Sequence, residues 1–332
     1  MKTVVYTKYG PPDVLQLKDV EKPAPNDDQV LVRVHAASLN PSEMHMMSGK
    51  LIARVLGGNG LLKPKNTIPG ADIAGQVEAV GKNVTQFKLG DEVFGRRAPG
   101  GFAEYVCVSE KLIALKPANL TFEQAAAVPV AGITALQSLR DTGQIQPGQK
   151  VLINGASGGV GTFTMQIAKA FGVHVTGVCH TRNLDLVRSL GADRVIDYNR
   201  ENFSRNGQRY DLIIDNVGNH SISDYRRALS PKGICVVVGY TSFVLMLQNL
   251  VLGPLLSRTG SQKIGTMLAH MKNPDLVVLK ELIEAGKVVP VIDRCYPPNE
   301  VSEAYRHLAT RHARGKIVIP WNRSTDKVPN NR

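Results

Sequence analysis

The 332-residue chain has little cysteine, and what it has is scattered. Cys107, Cys179, Cys235 and Cys295 form no C-x-x-C pair and no compact framework, which excludes a disulfide-stapled scaffold and points to reduced thiols. A long apolar run is missing too. The most apolar stretch, Phe243 to Leu256, is interrupted by Gln248, Asn249, Gly253 and Pro254 and falls short of the roughly 20 residues a membrane span needs. A buried helix or a subunit contact is expected there. The opening residues, MKTVVYTKYG, lack the charged-then-apolar pattern of a signal peptide, so a cytoplasmic location is expected. Although the formal charge is +12, no block of five or six like charges occurs, and doublets such as Arg96-Arg97 and Arg226-Arg227 read as solvated surface. Nucleic acid is therefore not an expected partner. Internal repeats and low-complexity tracts are absent as well.

What is present is enough apolar material, 43% of the residues, for two cores in a chain too long for one ordinary domain. The first part reads as short strands punctuated by glycine and proline: TVVYTKY, VLVRVHAAS, DIAGQVEAV, DEVFGR, FAEYVCV and LIALKP. The texture changes at Thr121-x-x-Gln124, a capping-box pattern followed by helix formers. From Lys150 strands alternate with helices, which predicts an α/β architecture with a doubly wound parallel sheet covered on both faces. After Gly286, VVPVIDRCY, a helix around EVSEAYRHLAT and the strand GKIVIPW are expected to return to the first domain.

The segment GASGGVG, Gly155 to Gly161, follows the strand KVLIN and precedes the helical TFTMQIAKAF. Such a turn gathers unpaired N–H groups and the positive end of a helix, where a pyrophosphate binds. The dinucleotide fingerprint G-x-G-x-x-G is met at Gly158 and Gly161, with Ala156 in its first glycine position. Ser157, Gly158, Gly159, Val160 and Gly161 are the predicted contacts; a bare strand-to-helix turn is the alternative. About 20 residues on, where an NAD site would carry an acid, the chain reads Gly177-Val-Cys179-His-Thr-Arg182. Lacking an acid and offering the Arg182 guanidinium, with Thr181 and His180 beside it, this region favours NADPH over NADH. Arg182 as a solvent-facing residue is the competing reading.

Taken together, SLNPSEMHMMSG, IPGADIAGQVEAVG, GGFAEYVCV, AAAVPVAGITALQSL, INGASGGVG, LGADRVIDY, DNVGN and HARGKIVI give the chain a resemblance, over almost its entire length, to the zinc-independent quinone oxidoreductase branch of the medium-chain dehydrogenase/reductases. The resemblance implies a β-rich GroES-like catalytic domain from residues 1–124 and 288–332, a Rossmann NADP-binding domain from 125–287, a cleft binding site and a homodimer. It also implies no metal, because the ligand positions of zinc-dependent relatives read Ser38 to Asn40 and Ala71, and the structural cysteine quartet is missing. Without a Lewis acid the substrate must accept hydride readily, as quinones and α,β-unsaturated carbonyls do.

By the same resemblance, Asn40 contacts nicotinamide or the substrate carbonyl, with a turn before Pro41 as its plainer role. Glu43 and His45 stand where family members often carry aspartate and tyrosine, and His45 is a candidate proton donor. Thr134 is matched to the nicotinamide amide, with a hydroxyl bonded to its own helix backbone as the alternative; Tyr198 is matched to the adenosine 2′-phosphate, and Val217, Gly239 and Tyr240 to the cofactor edge, with packing as the alternative. Arg311, Arg314 and Lys316 are basic candidates for the phosphate. The loop between Leu51 and Ile68, spanning 52–67, shapes a substrate entrance, touches a membrane peripherally, or is a passive insertion. An NAD(P)-dependent alcohol or aldehyde dehydrogenase-reductase, and a non-enzymic NADPH-binding or RNA-associated protein, stay open as alternatives.

Overall fold

The computed structural model describes residues 1–49, 60, 62–97 and 99–321, leaving out the side chains of 254–259. The expected entrance loop over 52–67 thus lies mostly outside the described residues, and the polar tail beyond Trp321 does so entirely.

The chain begins with β1 (Lys2–Val5), β2 (Gln16–Asp19), β3 (Gln29–Ser38), α1 (Pro41–Met47), β4 (Asp72–Val80), β5 (Glu92–Arg96), β6 (Tyr105–Ser109), β7 (Ile113–Leu115) and α2 (Phe122–Ala126). Next come α3 (Pro129–Gln137), β8 (Lys150–Asn154), α4 (Gly159–Ala170), β9 (His174–Cys179), α5 (Leu184–Ser189), β10 (Arg194–Asp197), β11 (Tyr210–Asp215), α6 (Ile222–Ala228), β12 (Leu229–Val237), α7 (Phe243–Thr259), β13 (Lys263–Thr266) and α8 (Asn273–Glu284). It ends on β14 (Ile292–Cys295), α9 (Val301–Ala309) and β15 (Lys316–Pro320). Two compact units result. One holds Met1–Pro129, Ile292–His312 and the described residues from Lys316 on; the other holds Val130–Val291 with Ala313–Gly315.

In the first unit a seven-stranded sheet runs β14-β15-β3-β4-β5-β7, with β6 also paired to β3. Strand β3 is central because its residues alternate little: Val30, Leu31, Val32, Val34, Ala36 and Ala37 are all buried. Its antiparallel pairing sets Ser38 opposite both Asp72 of β4 and Val318 of β15, so polar side chains distant in sequence meet at one end of the sheet. The capping box at Thr121 forms as read, with Thr121 Oγ1 accepting from the Gln124 amide at 3.3 Å and Gln124 Oε1 accepting from the Thr121 amide at 3.0 Å. The helix-forming stretch that follows divides into α2 and α3 because Pro129 supplies no N–H and disfavours helical backbone at Val128.

In the second unit six parallel strands take the order β10-β9-β8-β11-β12-β13, the doubly wound arrangement in which strand order reverses between β8 and β11. Val151, Leu152, Ile153, Leu212, Ile213 and Ile214 are fully buried, as expected of central strands covered on both faces. The reversal point places the β8–α4 turn beside the loop after β11.

Helix α7 corrects one expectation. A buried helix was one of two readings of Phe243 to Leu256, yet Phe243, Val244, Leu247, Leu250 and Val251 are 54%, 71%, 50%, 50% and 60% exposed. Apolar residues occupy every side of α7, so packing one side against β13 leaves others outward. Gly253 makes that approach close: a Cβ there would lie 2.8 Å from the Ile264 carbonyl oxygen.

Candidate active site

At the β8–α4 turn each glycine answers a different constraint. Gly155 has φ 75°, which an L side chain rarely adopts, and a Cβ on it would meet Val217 at 2.7 Å. Gly161 lies against the turn, where a Cβ would sit 2.1 Å from the Gly155 carbonyl oxygen. Gly158 is different: a Cβ there would meet only the Gly155 oxygen, at 3.5 Å, so the space beside it is open. Ala156 serves in the first fingerprint position, fully buried, its amide donating to the Val178 carbonyl at 3.0 Å. Ser157 accepts at Oγ from Asn183 Nδ2 (2.9 Å) and at its carbonyl from the Gly315 amide (3.0 Å). The turn is thereby fixed from both sides, and the first-turn N–H groups of Gly159, Val160 and Gly161 lie where an α-helix provides no acceptor of its own. An anion fits there.

The sequence offers no acid at the end of β9, but the structure brings one from the neighbouring strand. Parallel pairing sets Asp197 of β10 opposite Cys179, and the Asp197 carboxylate accepts from the Thr181 hydroxyl at 2.7 Å and the Asn199 amide at 3.0 Å. The Thr181 hydroxyl, with that peptide amide and the Arg200 guanidinium, holds the Asp197 carboxyl below the usual aspartate range. Thr181 also accepts from Asn199 Nδ2 at 3.1 Å, so its predicted part as a phosphate donor is corrected: its proton is spent on Asp197. Arg182 is exposed, and its amide donates to His180 Nδ1 at 3.2 Å. Tyr198 is 53% exposed and meets the His180 ring edge-on, with centroids 5.7 Å apart.

The loop after β11 is organised by Asp215, a residue the sequence reading passed over. Fully buried, it accepts at Oδ1 from Asn154 Nδ2 (2.9 Å) and from the amides of Val217 and Gly218 (both 2.8 Å), and at Oδ2 from the Tyr225 hydroxyl (2.8 Å). Burial pushes the Tyr225 phenol far above its ordinary value, so it stays a donor. The signal available in the sequence was an acid closing an apolar strand, YDLIID. Gly239 packs against this loop, since a Cβ on it would lie 2.5 Å from the Asn216 carbonyl oxygen. Tyr240 shares a hydrogen bond with Thr266. Thr134 is 7% exposed, and its hydroxyl makes no hydrogen bond to a described residue, unlike Thr162 and Thr164, which bond back to their own helix. A concavity of about 480 Å³ in this unit, lined by Gln137, Arg140, His270, Lys272 and Asp275 among others, includes none of the predicted site residues.

In the first unit, six polar side chains from five elements and the β3–α1 junction close on one another. Asp72 Oδ2 accepts from Ser38 Oγ (3.0 Å), Asn40 Nδ2 (3.0 Å) and Lys316 Nζ (3.1 Å). Lys316 also donates to Asn40 Oδ1 (2.7 Å) and to the Leu39 carbonyl (2.9 Å). Glu43 Oε2 accepts from the Asn40 amide (3.1 Å) and from the Tyr305 hydroxyl (2.7 Å). Two predicted roles change. Lys316 is not a surface cation waiting for phosphate: it is 4% exposed and its ammonium is satisfied by three protein acceptors. Asn40 is 4% exposed with its amide engaged at both ends, so it organises the site and has no spare group for nicotinamide or a substrate carbonyl. His45, Arg311 and Arg314 are exposed, Arg311 with φ 58°. Asp72 and Tyr305 escaped the sequence reading, and no local pattern marks them. Among the described residues no group of three or more His, Cys, Asp and Glu is disposed to hold a metal ion.

Comparison with known proteins adds to this geometry. Residues 26–118 match the alcohol dehydrogenase GroES-like domain family and residues 190–319 the zinc-binding dehydrogenase family. The NADPH-dependent alkenal/one oxidoreductase of Arabidopsis thaliana chloroplasts is 37% identical, over 96% of this chain and 79% of its own. The 2-methylene-furan-3-one reductase of Solanum lycopersicum is 38% identical over the same shares, 96% and 79%. Among solved structures, the quinone oxidoreductase of Coxiella burnetii superposes with a TM-score of 0.85 at 31% identity, covering 97% of this chain and 99% of its own.

Proposed function

Because the chain belongs to the quinone oxidoreductase branch of the medium-chain dehydrogenase/reductases, with a GroES-like domain and a Rossmann sheet, we propose that it is an NADPH-dependent reductase of quinones and α,β-unsaturated carbonyls that works without zinc. The observation that carries this reading is the β8–α4 turn, with open space beside Gly158 and a helix start that lacks acceptors. A pyrophosphate fits that turn. Ser157 to Gly161 would hold it, Arg182 and Tyr198 would meet the 2′-phosphate end, and Thr134 would meet the nicotinamide end. When bound, NADPH supplies a hydride. The chain's own contribution is orientation: Asp215 fixes the loop at Val217 and Gly218, and Asp197 fixes the turn from which Arg182 projects. Conjugated acceptors suit such a site, since they spread the arriving charge onto an oxygen that a hydrogen-bond donor can stabilise.

The names of the relatives support both parts of the reading, for one is NADPH-dependent toward alkenals and enones and another is a quinone oxidoreductase. The test is NADPH and NADH oxidation measured side by side with quinones, enones, aldehydes and unactivated alcohols, in chelator-treated buffer. Turnover of quinones or enones with NADPH preferred is expected; activity confined to simple alcohols, or restored only by zinc, overturns the proposal. The homodimer and the cytoplasmic location belong to the same proposal. A second copy would cover the exposed apolar side chains of α7, and a monomer in sedimentation equilibrium at micromolar concentration refutes that part.

A further inference from the structure

The concavity of about 480 Å³ lies wholly within the second unit and has the size of a small-molecule site. Three segments form its wall. Helix α3 closes on a π-helical turn, Ser138–Thr142, in which the Gly143 amide donates to the Ser138 carbonyl at 2.9 Å; this turn brings Arg140, Asp141 and Thr142 to the cavity. The segment leaving β13 brings Met267, Leu268 and His270, and the start of α8 brings Lys272, Pro274 and Asp275.

Gln137 ties the three together. It is 5% exposed, and its side-chain amide grips the His270 backbone in both directions, Oε1 accepting from the N–H at 2.9 Å and Nε2 donating to the carbonyl at 2.6 Å. The same nitrogen donates to Asp275 Oδ2 at 2.6 Å. The wall is thereby held in place without a ligand, which keeps the ordering cost of binding low.

The acids of the cavity are already answered. Asp275, also buried, accepts at Oδ1 from Arg140 Nη2 at 2.7 Å, and Asp141 accepts from the same guanidinium at both oxygens, from Nε at 2.5 Å and from Nη2 at 2.8 Å. The donors are not exhausted. Arg140 keeps the N–H groups of Nη1, and the Lys272 ammonium and the Thr142 hydroxyl have no hydrogen-bond acceptor among the described residues. Lys272 acts on the same cluster: hydrogen bonds from Arg140, working against burial, hold the Asp141 carboxyl below the usual aspartate range, and the charges of Arg140 and Lys272 add to the effect. Since those two cations are offset by two acids, the cavity suits one negative charge held by hydrogen bonds, and not two or three. Beside the donors the wall is apolar. Met267 is buried, but Pro274 is exposed and Leu268 is 80% exposed, so a ligand with an apolar body removes their surface from water.

We propose that this cavity binds a small aromatic or short aliphatic monocarboxylate, its carboxylate taking the spare donors of Arg140, Lys272 and Thr142 and its body lying against Leu268 and Pro274. The site includes none of the residues of the β8–α4 turn, and it stands independently of the reductase reading.

The experiment is calorimetric titration of benzoate into the full chain at pH 7, with benzamide, succinate and inorganic phosphate as comparison probes. Benzoate is expected to bind saturably with a Kd of about 1 mM or below, and benzamide about tenfold more weakly, because it brings no charge to the donors. Equal binding of benzamide, tighter binding of succinate or phosphate, or no binding of benzoate overturns the proposal. Two variants lie outside the Gln137 network. Lys272→Met should weaken benzoate about tenfold and Lys272→Arg should keep its affinity, a contrast that loss of a merely structural residue would not produce; Leu268→Ser should weaken it about threefold. Benzoate affinity unchanged in Lys272→Met overturns the assignment, and should that variant fail to fold, the comparison of probes on the unsubstituted chain decides. The titration is repeated with NADPH present. Unchanged benzoate binding is expected, whereas displacement by NADPH puts the carboxylate at the cofactor turn and overturns the proposal. A chain that binds benzoate but takes up no NADPH keeps this site and loses the reductase reading.

Discussion

Replacing Lys316 by methionine separates a buried structural cation from a cofactor-phosphate ligand. In the folded chain the ammonium satisfies Asp72 Oδ2, Asn40 Oδ1 and the Leu39 carbonyl at 3.1, 2.7 and 2.9 Å. Methionine fills the volume of the stem but takes the ammonium away from the fully buried Asp72 carboxylate, which keeps the Ser38 hydroxyl and Asn40 Nδ2, and leaves the Asn40 oxygen without that donor. Removing one partner of a buried pair costs about 3–5 kcal/mol, against 0–1 kcal/mol for an exposed one. We therefore expect the urea transition of the unit containing β15 to move down by an amount corresponding to about 3 kcal/mol or more. In the double variant Lys316→Met with Asp72→Asn the total loss should fall well short of the two single losses added, because no uncompensated charge remains. The ratio of NADPH to NADH affinity in whatever fraction stays folded should be unchanged. A loss under 1 kcal/mol together with a selective loss of NADPH affinity would return Lys316 to the phosphate and refute the reasoning.

Three further outcomes test other parts of the site. Gly158→Ala should leave the melting temperature within a few degrees, because the added methyl meets only the Gly155 oxygen at 3.5 Å, yet weaken NADPH at least tenfold; Gly161→Ala, with its methyl 2.1 Å from that oxygen, should lose fold and cofactor together. Unchanged NADPH affinity in Gly158→Ala by calorimetry would remove the anion site from the β8–α4 turn. Arg182→Ala should weaken NADPH far more than NADH, and equal losses would count against its phosphate role. For Glu43 the sign is set by a folded value of about 7 above an ordinary 4.5: the native state holds the proton more tightly, so stability is greatest below 4.5 and declines as pH rises to about 7. At about 1.4 kcal/mol per pH unit the decline attributable to Glu43 is roughly 3 kcal/mol, and it should be absent from Glu43→Gln in parallel denaturant titrations.

Much of the fold is legible because its information is local. Apolar runs such as VLIN and LIID declare strands covered on both faces, and GASGGVG declares its turn because glycine spacing and backbone geometry are coupled within seven residues. The polar cluster is not local at all: Lys316 is 244 residues from Asp72, brought to it by the pairing of β3 with both β4 and β15, and Tyr305 is 262 residues from Glu43, brought to it by the packing of α9 against α1. Lys316 misled because HARGK reads as a basic surface segment, whereas the second residue after Arg314 is drawn into the sheet. Helix α7 misled for the opposite reason, since a run apolar on all sides cannot announce which of them finds a partner.

Cofactor preference shows the same limit in sharper form. Scanning about 20 residues past the glycines finds no acid, and from that alone the site tolerates a 2′-phosphate. The parallel register of β9 and β10 nevertheless puts the Asp197 carboxylate within 2.7 Å of Thr181. Its presence does not by itself turn the site against a phosphate, because one hydroxyl, one peptide N–H and the Arg200 guanidinium at 3.7 Å already answer its charge. What decides the preference is whether that charge stays answered. Breaking the Thr181 bond would leave the carboxylate free to face the ribose, which makes Thr181, and not only Arg182, a position where the balance between the two cofactors is set.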